Sequence, residues 1–114
     1  MEDCLFCKII NRKVKGDIIF ENDDVLIFKD INPKAPVHLL AVPKQHVNSI
    51  VEIEKLSPDK VMELFKAIAK VSKEMKLEKD GFRVVTNTGT GAGQSVEHLH
   101  FHIMGKRVFN WPPG

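Results

Sequence analysis

The chain has 114 residues, enough for one domain with a single core, and a formal net charge of +2. Hydrophobic residues make up 43% and charged residues 28%, ordinary values for a soluble globular protein. The 17 basic residues are scattered, which argues against nucleic-acid binding as the main task, and no apolar run approaches the length of a membrane span.

Residues 1–114 are therefore read as one domain. Met1–Glu2–Asp3–Cys4 has the character of neither a signal nor a transit peptide, so a cytoplasmic location is expected. There the two cysteines would be thiols or metal ligands before they would be a disulfide. Cys4 to about Lys13 reads as a short helix with Leu5, Phe6, Ile9 and Ile10 on its apolar face. Ile18–Glu21 and Val25–Asp30 read as two strands of a hairpin, joined by the polar turn Asn22–Asp23–Asp24. A loop punctuated by Pro33 and Pro36 leads to a third strand, Val37–Val42, which Pro43 ends. A single helical turn is expected near Ile50. The longest helix should take Ser57 as N-cap and Pro58 as its first residue, and run to about Leu77. Its apolar stripe is Val61, Leu64, Phe65, Ile68, Val71 and Met75, with lysines 60, 66, 70 and 73 towards solvent. Asp80–Gly81 turns the chain into a fourth strand, Phe82–Thr88, and Val96–Met104 is the fifth. Hairpins around one long crossover helix predict an α+β domain with an antiparallel sheet of about five strands.

The fifth strand carries the chemistry. Alternation with period two puts His98, His100 and His102 on one face and Leu99, Phe101 and Ile103 on the other, in a core. Three of the five histidines thus share one surface within five residues. Two chemical readings compete. A neutral imidazole can attack phosphorus or carbon covalently while its neighbours hold charge and move protons. Alternatively, His-x-His chelates a catalytic metal; metal–nitrogen bonds of about 2 Å would let two of the rings reach one ion and leave the third unexplained.

Three further features are less specific. Gly89–Thr90–Gly91–Ala92–Gly93–Gln94–Ser95 suits a flexible turn or a nest of amides for a phosphate, and its run into the histidine strand favours the phosphate. It has neither the lysine nor the strand-to-helix setting of a P-loop. His38, in an otherwise apolar strand, reads on its own as a hydrogen-bonded core residue. Cys4 and Cys7 form Cys-x-x-Cys, which is half of a tetrahedral zinc site or two small residues packed at helical spacing.

The run His98–Met104, preceded by Gly91–Ala92–Gly93–Gln94–Ser95–Val96–Glu97, resembles the signature of the histidine-triad (HIT) nucleotide-binding superfamily. The stretches Val25–Pro33 and His38–His46, and the ending Trp111–Pro112–Pro113–Gly114, resemble its Hint branch, which hydrolyses purine nucleoside phosphoramidates. The resemblance implies that His100 attacks the α-phosphorus and is nucleotidylated before water releases the nucleotide. It implies a carbonyl of His98 fixing the tautomer of His100, and His102 and His38 against the phosphate oxygens. Ser95 would lie near the leaving group, Gly93, Gln94 and Asn87 near the phosphate, and Asp30 on the ribose hydroxyls. Phe6, Ile9, Phe28 and Ile31 would wall the purine, although core packing explains them equally well.

Family members with Cys-x-x-Cys hold a structural zinc, here implying Cys4, Cys7, His46 and His98 as ligands, with no catalytic metal required. The family also forms two-fold homodimers that pair the long helices and continue the sheet, with the tail at Trp111 near the partner's site. The expected activity is that of a purine nucleoside phosphoramidase (a hydrolase or transferase acting on purine nucleoside monophosphate derivatives). Hydrolysis of dinucleoside polyphosphates, or nucleotide binding without catalysis, are the alternatives.

Overall fold

The computed structural model describes residues 3–114. Its elements are α1 (Leu5–Ile10), β1 (Ile18–Glu21), β2 (Val25–Lys29), β3 (Val37–Pro43), α2 (Pro58–Glu74), β4 (Phe82–Val85) and β5 (Phe101–Gly105), with short 3-10 turns at Ile50–Lys55 and Thr90–Ala92. The strands form one antiparallel sheet in the order β1-β2-β3-β5-β4, as an α+β reading requires. Register pairs Ala41 with Phe101, Leu40 with His102 and His38 with Met104, so β3 and β5 bring His38 and His102 onto neighbouring strands.

Side-chain alternation divides the interior into two layers. Val25, Ile27, Leu39, Ala41, Leu99, Phe101 and Ile103 face α2, meeting Leu64, Ala67, Ile68 and Val71. Leu26, Phe28, Leu40 and Val42 face the other way and pack under Phe6 and Ile9 of α1. Because helices cover both faces, β2 is buried at four successive residues, Val25 to Phe28, instead of alternating with solvent. The helix α2 starts as its sequence indicates, with Ser57 Oγ accepting from Lys60 N–H at 3.2 Å and Pro58 leading. It ends at Glu74, where Lys76 leaves with a left-handed φ of 59°.

Four details correct the sequence reading. The helix α1 stops at Ile10 rather than about Lys13, because Arg12 turns away at φ 64°. β4 stops at Val85, since Thr86 turns its hydroxyl onto the His100 carbonyl at 2.8 Å instead of continuing the ladder. β5 begins at Phe101, not Val96. Over the five preceding residues the ladder groups are taken by other partners: Leu99 N–H goes to Val47 O at 2.8 Å, and His98 O accepts from the His100 ring. His98 and His100 are thus buried next to the sheet rather than in a regular strand. Finally Phe65 and Met62 stay 45% and 55% exposed, so Phe65 does not belong to the buried stripe of α2.

Candidate active site and metal centre

The α1 face of the sheet gathers all five histidines. His100 sits two residues before His102 and is 5% exposed. Its Nδ1–H donates to the His98 carbonyl at 2.7 Å, which leaves Nε2 as the ring nitrogen with a free lone pair. Phe6 packs edge-on against the same ring at 5.0 Å between centroids and restricts its rotation. His102 also packs against His100, 5.1 Å away by ring centroid.

His38 and His102 form a wired pair. The Lys34 N–H donates to His38 Nδ1 at 2.9 Å, so a neutral His38 carries its proton on Nε2. That Nε2–H meets His102 Nδ1 at 2.9 Å and lies 3.3 Å from Asp30 Oδ2. His102 Nδ1 is then an acceptor, and the His102 proton resides on Nε2. Burial pushes the pKa of His38 down, with the Lys34 charge adding to it and Asp30 opposing. Burial likewise lowers His102, to about 4, helped by His100 and His38 and opposed by Asp30. Both rings are neutral at pH 7, and each holds a defined tautomer.

A cleft of about 250 Å³ opens beside these rings. His100, His102, Asp30 and Ser95 supply its polar edge, and Phe6, Ile9, Phe28 and Ile31 its apolar wall. Phe6 and Phe28 meet edge to face at 5.4 Å. Ile31 is 97% exposed and forms the lip of the cleft rather than its floor. Leu40, Val96, Gly16 and the lysines Lys15 and Lys29 are also among the lining residues; packing brings them there, and their sequence context carries no signal of it. Asn87, Gly93 and Gln94 do not line the cleft. Gln94 instead ties the glycine loop to the body: Gly89 N–H donates to its Oε1 at 2.8 Å, and its Nε2 donates to Asn48 O at 2.7 Å and Val96 O at 3.0 Å. Gly89 and Gly93 adopt φ of 84° and 91°, which side chains resist, so glycine suits both ends of this loop.

On the other side of His100, Cys4, Cys7, His46 and His98 bring four ligand atoms within 4.8 Å of one another. Cys4 is the N-cap of α1 and its Sγ accepts from Cys7 N–H at 3.3 Å. Cys4 Sγ lies 3.4 Å from His98 Nδ1, and Cys7 Sγ lies 3.3 and 3.6 Å from His46 Nδ1 and His98 Nδ1. Zinc–sulfur bonds of about 2.3 Å and zinc–nitrogen bonds of about 2.05 Å at a tetrahedral angle imply sulfur–nitrogen separations of about 3.5 Å. The two rings are also in the required tautomer. His98 Nε2–H donates to Pro43 O at 2.8 Å and His46 Nε2–H to Asn48 Oδ1 at 2.9 Å, leaving both Nδ1 lone pairs aimed at the sulfurs. Burial holds His98 near a pKa of about 4, hence neutral, despite the opposing Pro43 carbonyl. Burial and the neighbouring Cys4 push the Cys7 thiol up to about 11, so a bound cation would have to displace its proton. The donor set, spacing and tautomers fit a tetrahedral cation. The Pro43 carbonyl and the Lys34 amide escaped the sequence reading because main-chain contacts leave no residue-type signature, and the Asn48 side chain because nothing in its spacing points to His46.

Comparison with known proteins gives a consistent result. The HIT domain family model matches residues 11–109. Protein HitA of Neisseria gonorrhoeae is 42% identical over 108 residues, covering 95% of this chain and all of that protein. A HIT-like protein of Synechococcus elongatus is 40% identical over 113 residues, covering 99% of this chain and 98% of its own length. Among solved structures, a HIT family hydrolase from Clostridium thermocellum superposes with a TM-score of 0.91 at 40% identity, covering 96% of each chain. A histidine triad protein from Clostridium difficile gives 0.89 at 43% identity over 97% of each chain. With the three histidines in one cluster, and with family pattern and backbone alike matched almost from end to end, this chain belongs to the HIT family.

Proposed function

We propose that this protein is a nucleotide hydrolase or transferase that cleaves purine nucleoside 5′-phosphoramidates through a covalent nucleotidyl-His100 intermediate. One observation carries the reading: His100 donates Nδ1–H to the His98 carbonyl, so its Nε2 lone pair is free beside a largely apolar cleft of about 250 Å³. The HIT family hydrolase from Clostridium thermocellum and the family match support a hydrolase. Phe6, Ile9, Phe28 and Ile31 take the purine, and Asp30 the ribose hydroxyls. The α-phosphate lies against His100 and His102, with His38 behind them, and Ser95 is next to the leaving group. Asn87, Gly93 and Gln94 stand off the cleft, and Gln94 serves the phosphate through the glycine loop it holds.

In the first step Nε2 of His100 bonds to phosphorus and the phosphorus–nitrogen bond to the amine breaks. The amine leaves with a proton that its nitrogen takes from solvent, while His102 Nε2–H donates to a phosphoryl oxygen. In the second step water bonds to phosphorus, the bond to His100 breaks, and the proton of the water is released to solvent. Two such displacements replace one harder one. A rapid-quench mass measurement with an adenosine phosphoramidate tests this: the protein gains one adenylyl group on His100. Turnover with no adduct, and undiminished turnover by His100→Ala, would reject it.

Three structural proposals accompany this reading. A zinc held by Cys4, Cys7, His46 and His98 ties α1 to the His98 segment and is structural, which elemental analysis checks. Residues 1–114 act as one domain in the cytoplasm; among the described residues no helix is long and apolar enough to cross a membrane. A homodimer is supported by apolar side chains left on one surface, Phe65 and Met62 of α2 at 45% and 55% exposure and Val84 of β4 at 40%. Trp111, 83% exposed, is then available to the partner's cleft. Sedimentation of the protein and of Phe65→Glu measures this.

A further inference from the structure

Asp30 is placed for more than a ribose. It follows the last residue of β2, and its backbone N–H donates to His38 O at 3.0 Å. Its Oδ1 accepts from Asn32 N–H at 2.8 Å, which anchors the carboxylate from a second side. The remaining oxygen, Oδ2, lies 3.3 Å from His38 Nε2, with side-chain exposures of 17% for Asp30 and 3% for His38. A carboxylate needed only at the mouth of a cleft has no reason to point one oxygen at a buried ring.

The tautomers give that contact a meaning. His38 has its Nδ1 occupied by the Lys34 N–H, so its one proton sits on Nε2 and is donated to His102 Nδ1, with the Asp30 Oδ2 charge 3.3 Å from the same nitrogen. We infer that Asp30 is a positioning residue for the His38–His102 pair: its carboxylate holds the proton-bearing edge of His38 against His102 Nδ1, and so keeps His102 Nε2–H turned towards the phosphate. This rests on the phosphoramidate reading for its substrate, and it extends that reading by making ribose recognition and the aiming of His102 one device. Among the influences on these two rings, Asp30 alone acts to raise their proton affinity, against the burial that lowers it.

The test separates this role from ribose binding. Wild type and Asp30→Asn are compared on an adenosine 5′-phosphoramidate and on its 2′,3′-dideoxy analogue, which offers no hydroxyl to the carboxylate. Asp30→Asn is expected to slow the dideoxy compound about tenfold or more relative to wild type, in kcat rather than KM. Equal turnover of that compound by both proteins would overturn the inference. The second arm needs no substrate. Nitrogen-15 spectra of the free wild-type protein should place the protons of His38 and His102 on Nε2, and those signals should shift in Asp30→Asn. Protonation of His38 on Nδ1, or ring signals unmoved by the substitution, would also overturn it. If no nucleotidyl adduct forms with either compound, the phosphoramidate reading fails, and the ring-nitrogen spectra still decide the role of Asp30.

Discussion

Two histidine clusters flank His100, and their difference is made by backbone atoms. At Cys4, Cys7, His46 and His98, the rings give their Nε2–H to the Pro43 carbonyl and the Asn48 side chain, which frees both Nδ1 lone pairs for a cation. At Asp30, His38 and His102 the donor atoms are as close together, within the same 4.8 Å. There, however, a main-chain N–H occupies His38 Nδ1, and the nitrogen facing the cluster carries a proton instead of a lone pair. The same side chain is thereby able to act as a ligand in one corner and is a donor in a chain of hydrogen bonds in the other. Distance alone would have assigned a metal to both. His98 joins the two corners, since its ring belongs to the first while its carbonyl sets the tautomer of His100.

The largest effect should come from the residue between the corners. His100→Ala is expected to lower phosphoramidate turnover by about 1,000-fold or more while leaving zinc content unchanged, read by steady-state kinetics and elemental analysis on one preparation. A comparable loss of zinc would mean that the two corners are not separable. Next, Cys7→Ser should remove the metal and lower the unfolding free energy by about 3 to 5 kcal/mol, measured by urea denaturation of the zinc-loaded protein. It should also loosen Phe6 against His100, seen as weaker nucleotide binding.

A smaller effect tests the proton-chain corner. His102 titrates near 4 in the folded chain, against an ordinary 6.5, because burial disfavours its cation. The unfolded chain therefore binds the extra proton first. The contribution of the neutral ring is complete above the unfolded value and is lost as pH falls from 6.5 towards 4. Between about pH 8 and pH 5 this amounts to about 2 kcal/mol, and His102→Gln should show a correspondingly shallower decline in stability. The smallest effect belongs to Ile31→Ala at the exposed lip. Stability should change by less than about 0.5 kcal/mol, and any effect should appear as a higher KM for the nucleotide. A larger loss of stability would place Ile31 in the core rather than at the cleft.

Much of the architecture was legible in the chain because it depends on periodicity. Leu99, Phe101 and Ile103 face α2 as their alternation predicted, and Ser57–Pro58 starts the long helix. The errors fall where side chains compete with backbone ladders. Thr86 and the His100 ring take carbonyls that regular strands would have used, so β4 ends early and β5 begins late. Phe65 misled for another reason: helical spacing marks it as apolar without saying whether this chain covers it.

Residue identity and spacing determined an α+β antiparallel fold, a histidine cluster next to a glycine loop, and a cysteine pair at a helix start. Which histidine keeps a lone pair, which donates to a neighbouring ring and which can bind a cation was decided only when the folded backbone brought the Lys34 amide and the His98 and Pro43 carbonyls to particular ring nitrogens. An imidazole has two nearly equivalent nitrogens, and only a fixed partner on one of them distinguishes the other.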